Sequence, residues 1–216
     1  MTELQFNEIK ERLAKWRKDR HLTYENQREE FLGNVFEKIS KYFMAKNYLE
    51  RVDALCNIAV LCFNVNNVKF SNYECYMKSD KVDFKIFDIV SKINYIAIYK
   101  ADFEIDAVKV ILDTLIALLH KKCESLKFDF HKCMLEKIKE IESRTGYYDK
   151  GLNKFTKDKG AYNTEDAFNR FLKENISDDF YILEDNEEFV IFDKENDFAL
   201  DKFKKWYKAD YESCRI

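Results

Sequence analysis

The sequence contains no proline and only four glycines among its 216 residues, against usual contents of about 5% and 7%. Both residue types end or bend helices, so their scarcity favours long, uninterrupted helices. No stretch of about 20 apolar residues occurs, so no membrane-spanning helix is expected. The N-terminal region is charged and lacks the apolar centre of a secretory signal. These absences together favour a helical protein of the cytoplasm.

Neither sign of charge dominates the chain. The formal net charge is −3 and the charges are interspersed, which argues against a general nucleic-acid-binding protein, because such proteins carry a basic face. The six cysteines include no Cys-x-x-Cys pair, so their spacing predicts neither a zinc site nor a disulfide framework and favours reduced thiols. What the chain does contain is 46% hydrophobic and 16% aromatic residues, which is enough for a substantial core.

Apolar residues recur at helical spacing over most of the length. This periodicity predicts helices over residues 3–20, 23–46, 49–64, 81–99, 104–123, 130–144 and 198–211. Residues 147–160 are typical of a basic loop. The stretch from Phe180 to Phe192 holds two apolar runs around an acidic turn, which indicates a small β-hairpin.

The predicted helix 49–64 carries the most information about function. It is apolar on almost every side, which is typical of a buried helix, but Glu50, Asp53 and Asn57 share one of its faces. Carboxylates in a buried helix need an opposite charge, hydrogen-bond donors or a metal ion. The partner of these carboxylates therefore decides what the site does.

Glu50-x-x-Asp53 is an arrangement that often binds Mg²⁺, because side chains three residues apart converge on one side of a helix. In this context the chain resembles the all-α nucleoside triphosphate pyrophosphohydrolases, most closely the MazG-like proteins of phages. The resemblance covers about residues 5–65, 130–158 and 204–214. It rests on Glu37, Ala45-Lys46-Asn47, Glu50 to Cys56, Glu140 to Gly146, Lys154-Phe155 and Trp206 to Asp210.

The resemblance implies an all-α fold with a MazG-like core of four to five helices. That core would occupy residues 1–160, with a small irregular or β-hairpin insertion at 161–203 and a C-terminal helix and tail at 204–216 returning to the core. It further implies a homo-oligomer, dimeric or tetrameric, that binds (deoxy)nucleoside triphosphates. Active members hydrolyse these with Mg²⁺ to a nucleoside monophosphate and pyrophosphate.

Site residues follow from the same resemblance. Glu37, Glu50 and Asp53 are the expected catalytic residues and metal ligands. The expected contacts to nucleotide phosphate are Lys38, Lys41, Asn57, Lys154, Lys157 and Lys208.

The chain departs from the family in the metal motif itself. Lys38 and Lys41 stand where the family has the glutamates that hold metal, and Asn57 stands where an aspartate is common. Mg²⁺ needs anionic oxygen ligands and is repelled by ammonium groups. The two lysines would instead pair with the carboxylates of the next helix, or bind phosphate. We therefore expect nucleotide binding with hydrolysis weakened or lost, and Mg²⁺ binding that is optional.

Two alternatives stay open at this point. A shift of the helix pair by one turn would let Glu29, Glu30 and Glu37 join Glu50 and Asp53 in an active Mg²⁺ site. Alternatively, the fold is retained without catalysis, for oligomerisation or for holding a partner.

Overall fold

The structure is a computed structural model that describes residues 1–78, 85–99, 102–152, 154–174 and 179–216. It is mostly helical with a smaller β region, and it divides into two compact units. Unit 1 comprises Met1–Ile138 and Asp210–Ile216, and unit 2 comprises Lys139–Ala209. The division drawn from the sequence had its boundaries after residues 160 and 203 instead.

Unit 1 is built from helices. They are α1 (Glu3–Asp19), α2 (Tyr24–Glu29), α3 (Phe31–Met44), α4 (Tyr48–Val65), α5 (Phe70–Met77), α6 (Ile86–Ile98), α7 (Asp106–Ser125) and the first part of α8 (Phe130–Ser143), and a 3₁₀ turn spans Glu212–Cys214. Most of the predicted helices are thereby confirmed. The prediction of a single helix over 23–46 is wrong, because the helix is interrupted at Glu30, between α2 and α3. Residues 81–84 of the predicted helix 81–99 lie outside the described residues.

Helix α4 occupies the centre of unit 1. It packs against α1, α2, α3 and α7, and the side chains of Leu55, Ile58 and Phe63 are buried. Its burial on several sides follows from its composition, because almost all of its side chains outside the face with Glu50, Asp53 and Asn57 are apolar. The sequence-based expectation of a buried helix is confirmed, and α3 and α4 follow each other through the short connection 45–47.

Unit 2 contains the described strands. They are β1 (Gly146–Asp149), β2 (Lys154–Lys157), β3 (Gly160–Ala161), β4 (Phe180–Glu184), β5 (Glu188–Asp193) and β6 (Ala199–Lys205), with helix α9 (Thr164–Glu174) between β3 and β4. Strands β1 and β2 form an antiparallel hairpin, and in the described part a four-stranded sheet has the order β3-β6-β5-β4. A core of its own lies between this sheet and α9, and includes Phe171, Phe189, Ile191 and Phe203.

The β-hairpin predicted over Phe180 to Phe192 is confirmed as β4 and β5. Two other predictions for this unit are wrong. Residues 147–160 are largely the hairpin β1–β2 and not a loop, and residues 199–205 are strand β6 and not a helix. Strand β6 pairs with β5 on one side and β3 on the other, and such pairing outweighs the weak local preference of a short segment.

Candidate functional site

Glu37 of α3 is held by the two lysines that follow it. The Nζ atoms of Lys38 and Lys41 lie 2.9 and 2.7 Å from the same oxygen, Glu37 Oε1. Hydrogen bonds from Lys41 and then Lys38 lower the pKa of Glu37 to about 2. The hydrogen bond with Glu37 raises the pKa of Lys41, and the charge of Asp53 adds to that effect. This carboxylate is therefore ionised at neutral pH and already neutralised by its own helix.

Glu50 caps the start of α4. Its Oε2 accepts a hydrogen bond from the Lys46 backbone N–H at 2.7 Å, and its Oε1 accepts one from Asn47 Nδ2 at 3.0 Å. In return, Asn47 Oδ1 accepts the Glu50 backbone N–H at 2.9 Å. A carboxylate here also favours the helix dipole. Glu50 is exposed, so the expectation that it is buried and needs a partner from α3 is wrong.

Asp53 is held by residues from three parts of unit 1. Its Oδ1 accepts hydrogen bonds from Lys137 Nζ at 2.7 Å and from the Tyr211 hydroxyl at 2.9 Å. Its Oδ2 accepts one from Asn57 Nδ2 at 3.0 Å. The Lys137 side chain is only 2% exposed, whereas that of Asp53 is 39% exposed. The predicted pairing of Lys38 and Lys41 with the α4 carboxylates is therefore wrong, because Lys137 supplies the charge at Asp53.

Lys137 was not among the candidate residues, although the sequence holds a signal for it. It lies on the apolar stripe of α8 with Met134, Ile138 and Ile141, at the spacing that one helix face requires. A lysine on such a stripe indicates a buried ammonium group, which needs an anion nearby. What the spacing does not reveal is that this anion is Asp53.

These acids do not fit a magnesium site. Glu37 is neutralised by lysines, Glu50 caps its own helix and Asp53 is paired with Lys137. Across the described ranges, no group of three or more His, Cys, Asp or Glu side chains has an arrangement that could hold a metal ion. Glu29 ends α2 and Glu30 lies between α2 and α3, and both are exposed. The shifted register therefore gains no support from the described residues.

The other lysines that were predicted to contact phosphate belong to unit 2, whereas Glu37, Glu50 and Asp53 belong to unit 1. Lys154 and Lys157 stand at the two ends of strand β2. Residues three apart on a strand point to opposite faces, so these two do not present one phosphate-binding surface. Lys208 follows β6 and is exposed.

The lysines that contact Glu37 and Asp53 outnumber these two carboxylates. Lys38, Lys41 and Lys137 face these two acids. The Lys41 side chain is 60% exposed and that of Lys38 is 20% exposed. Lys41 and, to a smaller extent, Lys38 are thus the lysines that an anion from solvent can reach.

No family model, curated protein or solved structure matches this chain. Among the described residues, no helix is long and apolar enough to cross a membrane.

Proposed function

We propose that unit 1 is a MazG-like helical core that binds the phosphate groups of a (deoxy)nucleoside triphosphate through Lys38 and Lys41, with metal-dependent hydrolysis lost. The observation that carries the proposal is the convergence of both Nζ atoms on the single oxygen Glu37 Oε1. The nucleotide class comes from the motif resemblance of α3 and α4.

Glu37 acts in this proposal as an internal substitute for a phosphate oxygen. Two ammonium groups aimed at one anionic oxygen form a site that a phosphate oxygen fits equally well. The Glu37 side chain is 49% exposed, so it can rotate into solvent and leave the lysines to the ligand. Such exposed ion pairs contribute little to stability, roughly 0–1 kcal/mol. Replacing the Glu37 carboxylate by a phosphate oxygen therefore costs little free energy.

The test is calorimetric titration with a panel of nucleoside triphosphates, in EDTA and in Mg²⁺, together with an assay for pyrophosphate release. We expect binding in EDTA and no pyrophosphate. Glu37→Gln removes the competing anion and should tighten binding about three- to tenfold, which corresponds to roughly 1 kcal/mol. Lys41→Ala should weaken binding by at least as much.

The matched control is Lys15→Ala, which removes an exposed lysine of α1 and should leave affinity unchanged. Mg²⁺-dependent hydrolysis that Glu37→Gln or Glu50→Gln abolishes would show an active enzyme and refute the proposal. Absence of binding by every nucleotide would refute it as well.

A second proposal, self-association, is favoured by a separate observation. Phe36, Phe43 and Met44 of α3 and Tyr48 at the start of α4 are 45–77% exposed, and Phe36 and Phe43, seven residues apart, share a helix face. Adjacent exposed apolar residues of this size are typical of protein interfaces. We propose that a second copy of the chain covers them.

Light scattering coupled to size exclusion tests this directly. We expect a dimer or tetramer that Phe43→Ser with Met44→Ser dissociates. Phe87→Ser, at an exposed phenylalanine of α6, is the control and should leave the mass unchanged. A monomeric wild-type protein at micromolar concentration would contradict the proposal.

A further inference from the structure

Four cysteines from four elements meet in the interior of unit 1. Cys56 lies in α4, Cys123 in α7, Cys133 in α8 and Cys214 in the 3₁₀ turn, and each is at most 1% exposed. The Cys133 thiol is near enough to the other three for each of them to act on its pKa. All are free thiols. In the described chain they do not form a group that could hold a metal ion, so their chemistry is that of thiols.

Backbone hydrogen bonds bring three of these cysteines together around one short connection. The Phe128 N–H donates to the Cys123 carbonyl at 3.2 Å, and the Asp129 N–H donates to the Cys214 carbonyl at 2.8 Å. The Cys133 N–H donates in turn to the Asp129 carbonyl at 3.0 Å. The segment 210–216 is thereby attached to the α7–α8 connection, with Cys214 next to Cys133.

The thiols differ in acidity because the others stabilise the thiolate of one of them. Interactions with Cys123 and Cys56, and a smaller one with Cys214, lower the pKa of Cys133. Burial raises the pKa of Cys214 to about 12, and burial also raises that of Cys56. Donation to Cys133 raises the pKa of Cys123. Cys133 is therefore the thiol that ionises first, and the thiolate is the nucleophilic form.

Cys214 is the neighbour best placed to change position. Cys56 and Cys123 belong to α4 and α7, whose hydrogen bonds hold them in place. Cys214 lies in a three-residue turn between the exposed residues Ser213 and Arg215. Short segments of this kind open locally at low cost, which admits a small oxidant and lets two sulfur atoms reach disulfide geometry.

We propose that Cys133 and Cys214 are a peroxide-sensitive dithiol that closes to an intramolecular disulfide. The Cys133 thiolate attacks one oxygen of a hydroperoxide, the O–O bond breaks, and hydroxide leaves and takes up a proton. The sulfenic acid formed on Cys133 is attacked by the Cys214 sulfur, so the S–S bond forms, the S–O bond breaks and water leaves. Two thiols and one hydrogen peroxide thus give one disulfide and two waters.

Closure would fasten the segment 210–216 to α8. Tyr211, which donates to Asp53, lies on the same segment and would be held with it. A cross-link over so long a loop reduces the freedom of the unfolded chain. We therefore expect the oxidised protein to melt at least about 5 °C above the reduced protein.

The experiment treats the full chain with hydrogen peroxide and maps peptides by mass spectrometry without reduction. We expect a linked Cys133–Cys214 peptide that is lighter by two hydrogen atoms than the two free peptides. The link should be lost in Cys133→Ser and in Cys214→Ser. It should persist in Cys75→Ser and Cys62→Ser, which remove an exposed and a separately buried thiol.

The wild-type map alone can refute the proposal, whatever the variants do to folding. Cluster thiols that stay free at peroxide doses that fully oxidise Cys75 would overturn it. So would a link from Cys133 to Cys56 or Cys123, or sulfinic acid at Cys133 without any link. A link that forms only after denaturation would overturn it too.

Discussion

Removing Asp53 should destabilise unit 1 far more than removing its partner Lys137. Both changes break the same 2.7 Å ion pair, but they leave different charges behind. Asp53→Asn leaves an ammonium group whose side chain is 2% exposed, whereas Lys137→Met leaves a carboxylate that is 39% exposed. Because water hydrates the remaining charge well at Asp53 and poorly at Lys137, the two variants should differ strongly.

The magnitudes follow from that difference in exposure. Removing the anionic partner of a buried charge costs about 3–5 kcal/mol. Because Lys137 keeps a further interaction, we expect the lower half of that range for Asp53→Asn. After Lys137→Met, Asp53 keeps its hydrogen bonds from Tyr211 and Asn57 and water reaches it, so the cost should be about 1–2 kcal/mol. The methionine also preserves most of the buried volume of the lysine stem.

The double variant gives the sharpest test. Asp53→Asn with Lys137→Met removes both charges and should be more stable than Asp53→Asn alone, because no buried ammonium group remains. Urea unfolding followed by far-UV circular dichroism measures the three free energies. A Trp206→Phe background leaves Trp16 as a fluorescence reporter of unit 1. The reasoning is refuted if Asp53→Asn costs no more than Lys137→Met, or if the double variant is the least stable.

Four further predictions concern single residues. Burial raises the pKa of Asp113. The contribution of this residue to stability is therefore present in acid and lost as the pH rises through the raised pKa. Asp113→Asn should abolish that loss in urea titrations from pH ~4 to neutrality. The pH dependence from Glu37 has the opposite sign. Its contribution to stability is present above its ordinary pKa of 4.5 and is lost as the pH falls toward about 2. Glu37→Gln should remove this change, which is below about 1 kcal/mol because the ion pair is exposed. Gly160→Ala would place a methyl group against the Trp206 indole and should destabilise unit 2 by about 1–3 kcal/mol in thermal unfolding, whereas Gly33→Ala meets no atom and should stabilise α3 by about 0.5–1 kcal/mol.

The helices were predictable because their signal is local. In α7, Val108, Ile111, Leu112 and Leu115 repeat within one element at helical spacing and are all buried. Strand β6 shows why the β region was harder to predict. Its short pattern around Phe203 fits a helix as well as a strand, and its partners β5 and β3 decide between the two. Short strands owe their structure to such pairing more than to their own residues.

The candidate site was predictable in position and not in pairing. The spacing of Asp53 and Asn57 placed them on one face, and their hydrogen bond confirms it. The spacing of Glu37, Lys38 and Lys41 likewise showed that they are neighbours on a helix. The lysine that pairs with each carboxylate is determined by the packing of α8 and of the segment 210–216 against α4. Contacts between residues so far apart in the sequence leave no mark in local periodicity.

The ion pair and the thiol cluster share three parts of unit 1, and the cluster adds Cys123 of α7. Asp53 and Cys56 are three residues apart on α4, Cys133 and Lys137 are four apart on α8, and Tyr211 and Cys214 are three apart on the segment 210–216. Each spacing is about one helical turn, or about 5.4 Å along a helix. The polar contacts at Asp53 and the thiol contacts at Cys133 are thus two neighbouring layers of one junction. A displacement of the segment 210–216 therefore changes the hydrogen bond to Asp53 and the approach of the two sulfur atoms together.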